Sequence, residues 1–288
     1  MKILGSIETG GTKIVCAIGN ENGDILKKIT IPTTIPNENI SQMLEFFKEK
    51  DISALGIGSF GPVDTNVNSK DYGKILNTPK LAWKNFNLLN ILKANGLNVP
   101  IKLVTDVNEA AIGEYSLGAG KGTSSLLYIT VGTGVGAGYI TNGQLLEGFS
   151  SPEMGHILIE QLPDDNYIGC CPYHKNECLE GLASGTAIED RWKSKAIDLG
   201  NNDDVWEMEA NYLAKALANY IYILTPEVIV LGGGIMNQQK LFSLIEKKLK
   251  VLMNDYMDLN NIKIVAPKLG SQSGIVGGLV IARELLSK

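Results

Sequence analysis

Two glycine–threonine turns constrain this chain more than any other feature. Gly10-Gly11-Thr12 lies between β-branched runs at Ile3–Glu8 and Lys13–Ile18. Gly132-Thr133-Gly134 lies between similar runs at Leu126–Val131 and Val135–Ile140. A glycine turn between two strands reads as a hairpin, and its backbone N–H groups can face an anion. Two of them, far apart in sequence, point to a duplicated fold whose loops hold one phosphate chain. Neither turn has the G-x-x-x-x-G-K-[ST] spacing of a P-loop. Neither opens a helix as a G-x-G-x-x-G dinucleotide fingerprint does. The second turn runs on as Gly132-x-Gly134-x-Gly136-x-Gly138. In a strand that period puts every glycine on one face, where a flat ligand or another backbone can approach.

The 288 residues leave room for two domains with substantial cores. A net charge of −5 and the lack of any Lys/Arg cluster argue against a nucleic-acid partner. The opening residues, broken by Glu8, do not read as a signal peptide. No run approaches the roughly 20 apolar residues of a membrane span. A cytoplasmic location is therefore expected, with the four cysteines reduced or metal-bound rather than in disulfides.

The pattern along the chain alternates. A third strand is expected at Ile25–Ile31, a helix at Ile40–Lys50 and a strand at Ala54–Ser59. A long polar loop, 64–80, follows. Next come a short helix at Phe86–Asn95, a strand at Ile101–Thr105 and a helix at Asn108–Leu117. After the second hairpin a loop-rich segment, 150–180, carries both histidines. Helices are expected at Gly185–Leu199, Val205–Leu224 and Gln238–Met253, strands at Val228–Leu231 and Ile262–Val265, and a last helix from Ser273. Both halves thus begin with a glycine-turned meander and continue as alternating helix and strand. That order implies two α/β domains with a cleft between them.

Four constellations carry chemistry. Asp106 stands where a strand ends and a helix begins. It is either a helix N-cap or a carboxylate placed to take the proton from a hydroxyl attacking a γ-phosphate. Lys13, beside the first turn, is a strand-edge charge or a partner for a phosphate oxygen. Glu8 is placed to help position Mg²⁺ through water. His156, Cys171, His174 and Cys178 suit a closed tetrahedral Zn²⁺ site, with Cys170 open as an alternative ligand to Cys171. Such a site would pin a loop bearing Glu153, His156 and Glu180, side chains suited to a polyol. Gly232-Gly233-Gly234 is a tight strand-to-helix turn or a close-approach surface for a planar ring.

In this order the motifs resemble the ROK family of sugar kinases and repressors along nearly the whole chain. The matching pieces are Glu8-Thr9-Gly10-Gly11-Thr12-Lys13, Gly61-Pro62-Val63-Asp64, Asp106-Val107-Asn108-Glu109-Ala110-Ala111 and Val131-Gly132-Thr133-Gly134-Val135-Gly136. They continue with Glu153-Met154-Gly155-His156, the Cys/His run, Cys178-Leu179-Glu180-Gly181 and Leu231-Gly232-Gly233-Gly234-Ile235. The resemblance implies the actin-like ATPase (ribonuclease H-like) fold with ATP in the interdomain cleft. It implies Asp106 as catalytic base, Gly61, Glu153, His156 and Glu180 at the sugar, and His156 reaching both zinc and sugar. It also suggests a homodimer.

Three departures, Glu8, Thr105 and the Cys171-x-x-His174-x-x-x-Cys178 spacing, look like the fructokinase branch of that family. With the first motif this close to Met1, the helix-turn-helix domain of the repressor branch is not expected. The expectation is a small domain of residues 1–106 plus 273–288 and a large one of 107–272 with the zinc loop. The expected activity is transfer of phosphate from Mg-ATP to the 6-hydroxyl of fructose. A kinase of mannose, glucose or an N-acetylhexosamine, and a non-catalytic sugar sensor, are the alternatives.

Overall fold

A computed structural model of the chain describes residues 2–287. Strands β1 (Ile3–Thr9), β2 (Lys13–Gly19) and β3 (Ile25–Pro32) form an antiparallel meander. Helix α1 (Pro36–Phe47) leads to β4 (Ile52–Ser59), which returns parallel to β1. Helix α2 (Leu88–Ala94) leads to β5 (Ile101–Thr105), parallel to β4, and β5 runs straight into α3 (Asp106–Ser116). The second meander is β6 (Ser125–Val131), β7 (Val135–Thr141) and the short β8 (Gln144–Leu145). After it come α4 (Leu179–Ala183), α5 (Gly185–Trp192) and α6 (Asp203–Leu224). The chain closes with β9 (Val228–Gly232), α7 (Lys240–Met253), β10 (Lys263–Val265) and α8 (Ser273–Leu285).

The two sheets have orders β3-β2-β1-β4-β5 and β10-β9-β6-β7-β8. Read from the meander's last strand, these are the same order, and β9 lies parallel to β6 as β4 does to β1. The duplication expected from the paired glycine turns is therefore present strand by strand.

In the first sheet the period-two alternation of β4 sorts its residues between two layers. Leu55 and Ile57 join a core with Met43, Phe46, Trp83 and Leu88. Ala54 packs with Leu279 and Ala282 of α8. Gly56, on the α8 face, leaves no room for a side chain, because a Cβ there would lie 2.1 Å from the Gly278 carbonyl oxygen. The α3–α8 contact is equally close, since a Cβ on Gly277 would meet the Glu109 carbonyl oxygen at 1.7 Å. Glycine lets these backbones meet directly. The second sheet is covered by α4, α6 and α7 through one continuous core containing Leu127, Ile129, Leu182, Trp206, Leu217, Ile245 and Leu249.

The chain divides into two compact units. The first comprises Met1–Gly122, Gln144–Pro152 and Lys268–Lys288; the second comprises Thr123–Gly143 and Glu153–Pro267. Motif order draws the break after Asp106, but the first unit runs on to Gly122, because α3 packs on α8 and β4. Other local differences have identifiable causes. Helix α1 starts at Pro36 rather than Ile40, since proline suits a first helical turn. The helix expected over Gly185–Leu199 stops at Trp192, where Lys193 takes a left-handed φ of 53°, and Ala196–Leu199 forms a separate 3-10 turn. Helix α4 falls inside the segment read as loop; its five residues are too short for a periodic signal.

Candidate active site and metal centre

The first unit carries the first glycine turn and Asp106. The turn is closed by the Gly10 N–H donating to the Lys13 carbonyl at 2.8 Å. Its backbone is fastened from outside: Thr33 Oγ1 donates to the Gly10 carbonyl at 2.8 Å, and the Thr33 N–H donates to the Thr12 carbonyl at 3.0 Å. Lys13 is exposed. Glu8 is half-buried against Gly274 in the first turn of α8. Burial raises its pKa, and the Lys13 charge partly offsets that.

The helix cap is not Asp106. Thr105 Oγ1 accepts the Asn108 N–H at 3.2 Å, so the threonine caps α3 and Asp106 is its first helical residue. Asp106 Oδ1 accepts the N–H of Val107 at 2.9 Å. The capping alternative for Asp106 is thus taken by its neighbour. Behind it lies Glu109, fully buried, accepting from Ser6 Oγ at 3.4 Å through Oε1, with Oε2 unpartnered. Burial, then the charges of Glu8 and Asp106, hold its pKa well above the usual carboxylate range. In the sequence Glu109 stands only as part of the run Asp106-Val107-Asn108-Glu109-Ala110-Ala111. Nothing local marks a glutamate in a helix's first turn as fully buried.

The second unit carries the second turn and the Cys/His set. The Gly132 N–H donates to the Gly134 carbonyl at 2.9 Å. Helix α5 supports this turn, through Gly185 N–H to the Gly132 carbonyl at 2.6 Å and Thr186 Oγ1 to the Thr133 carbonyl at 2.7 Å. Glu180 Oε2 accepts the Val135 N–H at 3.0 Å, which puts this carboxylate at the turn's exit. Gly233 sits at φ 90°, and a Cβ there would fall 2.3 Å from the Val131 carbonyl oxygen. Gly234 has open space where a side chain would be. The triglycine is thus a tight strand-to-helix turn whose last residue leaves a bare backbone surface.

His156, Cys171, His174 and Cys178 place one ligand atom each within 4.8 Å of one another. Cys171 Sγ lies 3.8 Å from His156 Nδ1 and 3.7 Å from His174 Nδ1, and Cys178 Sγ lies 3.8 Å from His156 Nδ1. Ligands about 2.0–2.3 Å from a tetrahedral ion stand roughly this far apart, so the set fits Zn²⁺. Cys170 does not join it. Its thiol instead faces the Ser184 hydroxyl at 3.3 Å and the Glu180 carbonyl at 3.6 Å. Among the described residues no other group of three or more His, Cys, Asp or Glu is close enough to hold a metal. His156 turns its other nitrogen outward, with Nε2 4.0 Å from Glu180 Oε1. Glu153 is close enough to feel both: burial raises its pKa, His156 lowers it and Glu180 raises it. Glu153, His156 and Glu180 therefore form one polar group whose back is fixed by two cysteines.

A duplicated α/β unit with a glycine turn in each copy defines the actin-like ATPase class, here with a Cys/His cluster of its own. The chain belongs to the ROK family, which it matches over residues 4–285. It is 42% identical to a protein named fructokinase from Pediococcus pentosaceus, covering 99% of each chain. It is 40% identical to another so named from Streptococcus mutans, covering 100% of this chain and 99% of that one. The fold matches a ROK hexokinase from Thermus thermophilus with a TM-score of 0.82 at 24% identity, over 99% of both chains. A ROK glucokinase from Streptomyces griseus, solved with glucose and AMPPNP, matches with a TM-score of 0.77 at 25% identity, over 98% of this chain and 99% of that one.

Proposed function

We propose that the chain is a fructokinase, transferring the γ-phosphoryl group of Mg-ATP to the 6-hydroxyl of fructose. The observation that carries the catalytic reading is the division of labour at the end of β5. Thr105 is the helix cap, and Asp106 is the first helical residue, at the strand terminus where such sheets place their chemistry. The naming of relatives at 40% and 42% identity supports fructose as the sugar.

Asp106 takes the proton from O6 as O6 bonds to the γ-phosphorus. The bond from that phosphorus to the bridging oxygen breaks, and its electron pair leaves on ADP. Gly10, Gly11, Thr12 and Lys13, with Gly132, Thr133 and Gly134, bind the phosphates through turn N–H groups and one ammonium. Gly232, Gly233 and Gly234 offer backbone to the adenine. Gly61, Glu153, His156 and Glu180 hold the sugar hydroxyls. Mg²⁺ bound with ATP offsets charge on the phosphates, with Glu8 as a water-mediated contact. His156, Cys171, His174 and Cys178 would hold a structural Zn²⁺, which would fix the orientation of His156.

A homodimer and a cytoplasmic location complete the proposal. Four free cysteines suit a reducing compartment, and no helix among the described residues is long and apolar enough to cross a membrane. Sedimentation at several concentrations tests the dimer.

ADP release is the deciding assay, with fructose, mannose, glucose and N-acetylmannosamine offered in parallel. Fructose is expected to be preferred. Asp106→Ala is expected to lower kcat by roughly 10²–10⁴-fold while fructose still binds. Near-normal turnover in that variant removes Asp106 as base. Preference for another sugar changes the substrate and keeps the mechanism. Sugar binding without turnover on any substrate makes the chain a sensor.

A further inference from the structure

In the sequence Lys80 is the last residue of the polar loop 64–80. The structure puts it over the first phosphate turn. A Cβ built on Gly11 would lie 3.3 Å from Lys80 Cε and 3.9 Å from Lys80 Nζ. Among the described residues this ammonium has no hydrogen-bond or salt-bridge partner, although the side chain is only partly exposed. A lysine drawn down onto a glycine turn, with no carboxylate to pair with, is a cation placed for an anion that comes from outside.

Its placement follows from a continuous set of contacts. Thr33 holds the turn at the Gly10 and Thr12 carbonyls. The next residue, Thr34, accepts the indole N–H of Trp83 through its carbonyl at 2.8 Å. Trp83 is 1% exposed and is wedged edge-on between Phe60 and Phe86. The Trp83 N–H donates to the Lys80 carbonyl at 2.8 Å, closing the turn that begins at Lys80. Turn and lysine are thus anchored to the same buried tryptophan. A lysine carried on a free loop would have no such link to the turn below it.

We infer that Lys80 is a second phosphate-binding cation of the first turn, pairing with the β- or γ-phosphate of the nucleotide opposite Lys13. This rests on the kinase reading of that turn. One ammonium would then come from the strand that leaves the turn and one from the loop that ends at Lys80. The anion would be held between them while the turn's N–H groups fix its position. On transfer, the charge that gathers on the leaving ADP oxygens meets a cation already in place.

The test compares Lys80→Met and Lys80→Arg with the wild-type chain. In steady state, Lys80→Met is expected to lower kcat/KM for ATP about 100-fold while the KM for fructose stays within about twofold. Lys80→Arg, which keeps the charge, is expected to recover most of the loss. Calorimetric binding without sugar is read in parallel. ATP is expected to bind Lys80→Met about tenfold more weakly, and AMP, which lacks the β- and γ-phosphates, to bind it unchanged. This arm does not depend on turnover, so it still reports on Lys80 if the chain proves to be a sensor. Loss of turnover in Asp106→Ala tests the kinase reading separately. The inference is overturned if Lys80→Met keeps ATP affinity and kcat/KM within about threefold of wild type. It is also overturned if the loss falls on fructose KM, or if Lys80→Arg is as impaired as Lys80→Met.

Discussion

Glu109 concentrates the chemistry of the first unit in one side chain. It is fully buried, has one unpartnered oxygen, and lies in the field of two other carboxylates. Its folded-state pKa is raised from 4.5 by burial first and by Glu8 and Asp106 next. The folded chain therefore holds this proton over a pH range in which the unfolded chain has lost it. Stability from that proton is complete below about pH 4.5 and declines as pH rises toward the folded-state value. Glu109→Gln keeps the shape and removes the titration. Its Tm is expected to exceed that of wild type at pH 7.5, with the gap closing toward pH 5. Thermal melts of both proteins across that range check it; equal slopes remove Glu109 as the source. The value of a glutamate kept here despite its cost lies next to Asp106, whose surroundings it makes more negative whenever it ionises.

At the scale of elements, the junction of β5 and α3 does the most with the fewest residues. Thr105→Ala is expected to destabilise the protein by about 1 kcal/mol through loss of the cap. It is also expected to lower kcat, because the first turn of α3 then frays under Asp106. Thr105→Ser, which keeps the hydroxyl, is expected to restore both, as chemical denaturation and ADP release would report. This junction also measures how far sequence can be read. The strand, the helix and Asp106 at their meeting point were all legible, because a β-branched run gives way there to an Ala- and Glu-rich one. Which of Thr105 and Asp106 caps was not, since both residue types do so and only backbone geometry chooses. The four Cys and His side chains that the fold brings together were legible from spacing, yet Cys170 and Cys171 are adjacent and nothing in their order separates them. Burial of Cys171 and the contact of Cys170 with Ser184 do. Lys80 carried no local signal at all. Its position depends on Trp83 reaching Thr34, 49 residues away in sequence.

Across the molecule, each unit has its own core, and the second holds the Cys/His cluster. One tightly bound Zn²⁺ per chain is expected by elemental analysis. Cys171→Ser is expected to lose it, and Cys170→Ser to retain it. Removing the metal is expected to weaken the second unit alone, because binding energy for a structural ion is folding energy. Urea unfolding followed by circular dichroism, a single transition with metal present, then separates into two, with the earlier one restored by added Zn²⁺. A uniform shift of one transition instead places the metal's influence on both units.

The glycine-lined seat of α8 against β4 and α3 has a consequence for the order in which the protein is made. The first unit takes its last helix from residues 273–285, after the whole of the second unit has been synthesised. At about 5–20 residues per second, the ribosome needs roughly ten to thirty seconds to pass from α3 to α8. Throughout that interval the first sheet stands with the bare backbone of Gly56 uncovered and Glu109 lacking the glycines of α8, Gly277 and Gly278, that pack against it. The second unit has all its strands and helices in hand while the earlier-made sheet still waits. The half of the chain that is made first is thus the last to be completed, and α8 is the piece that completes it.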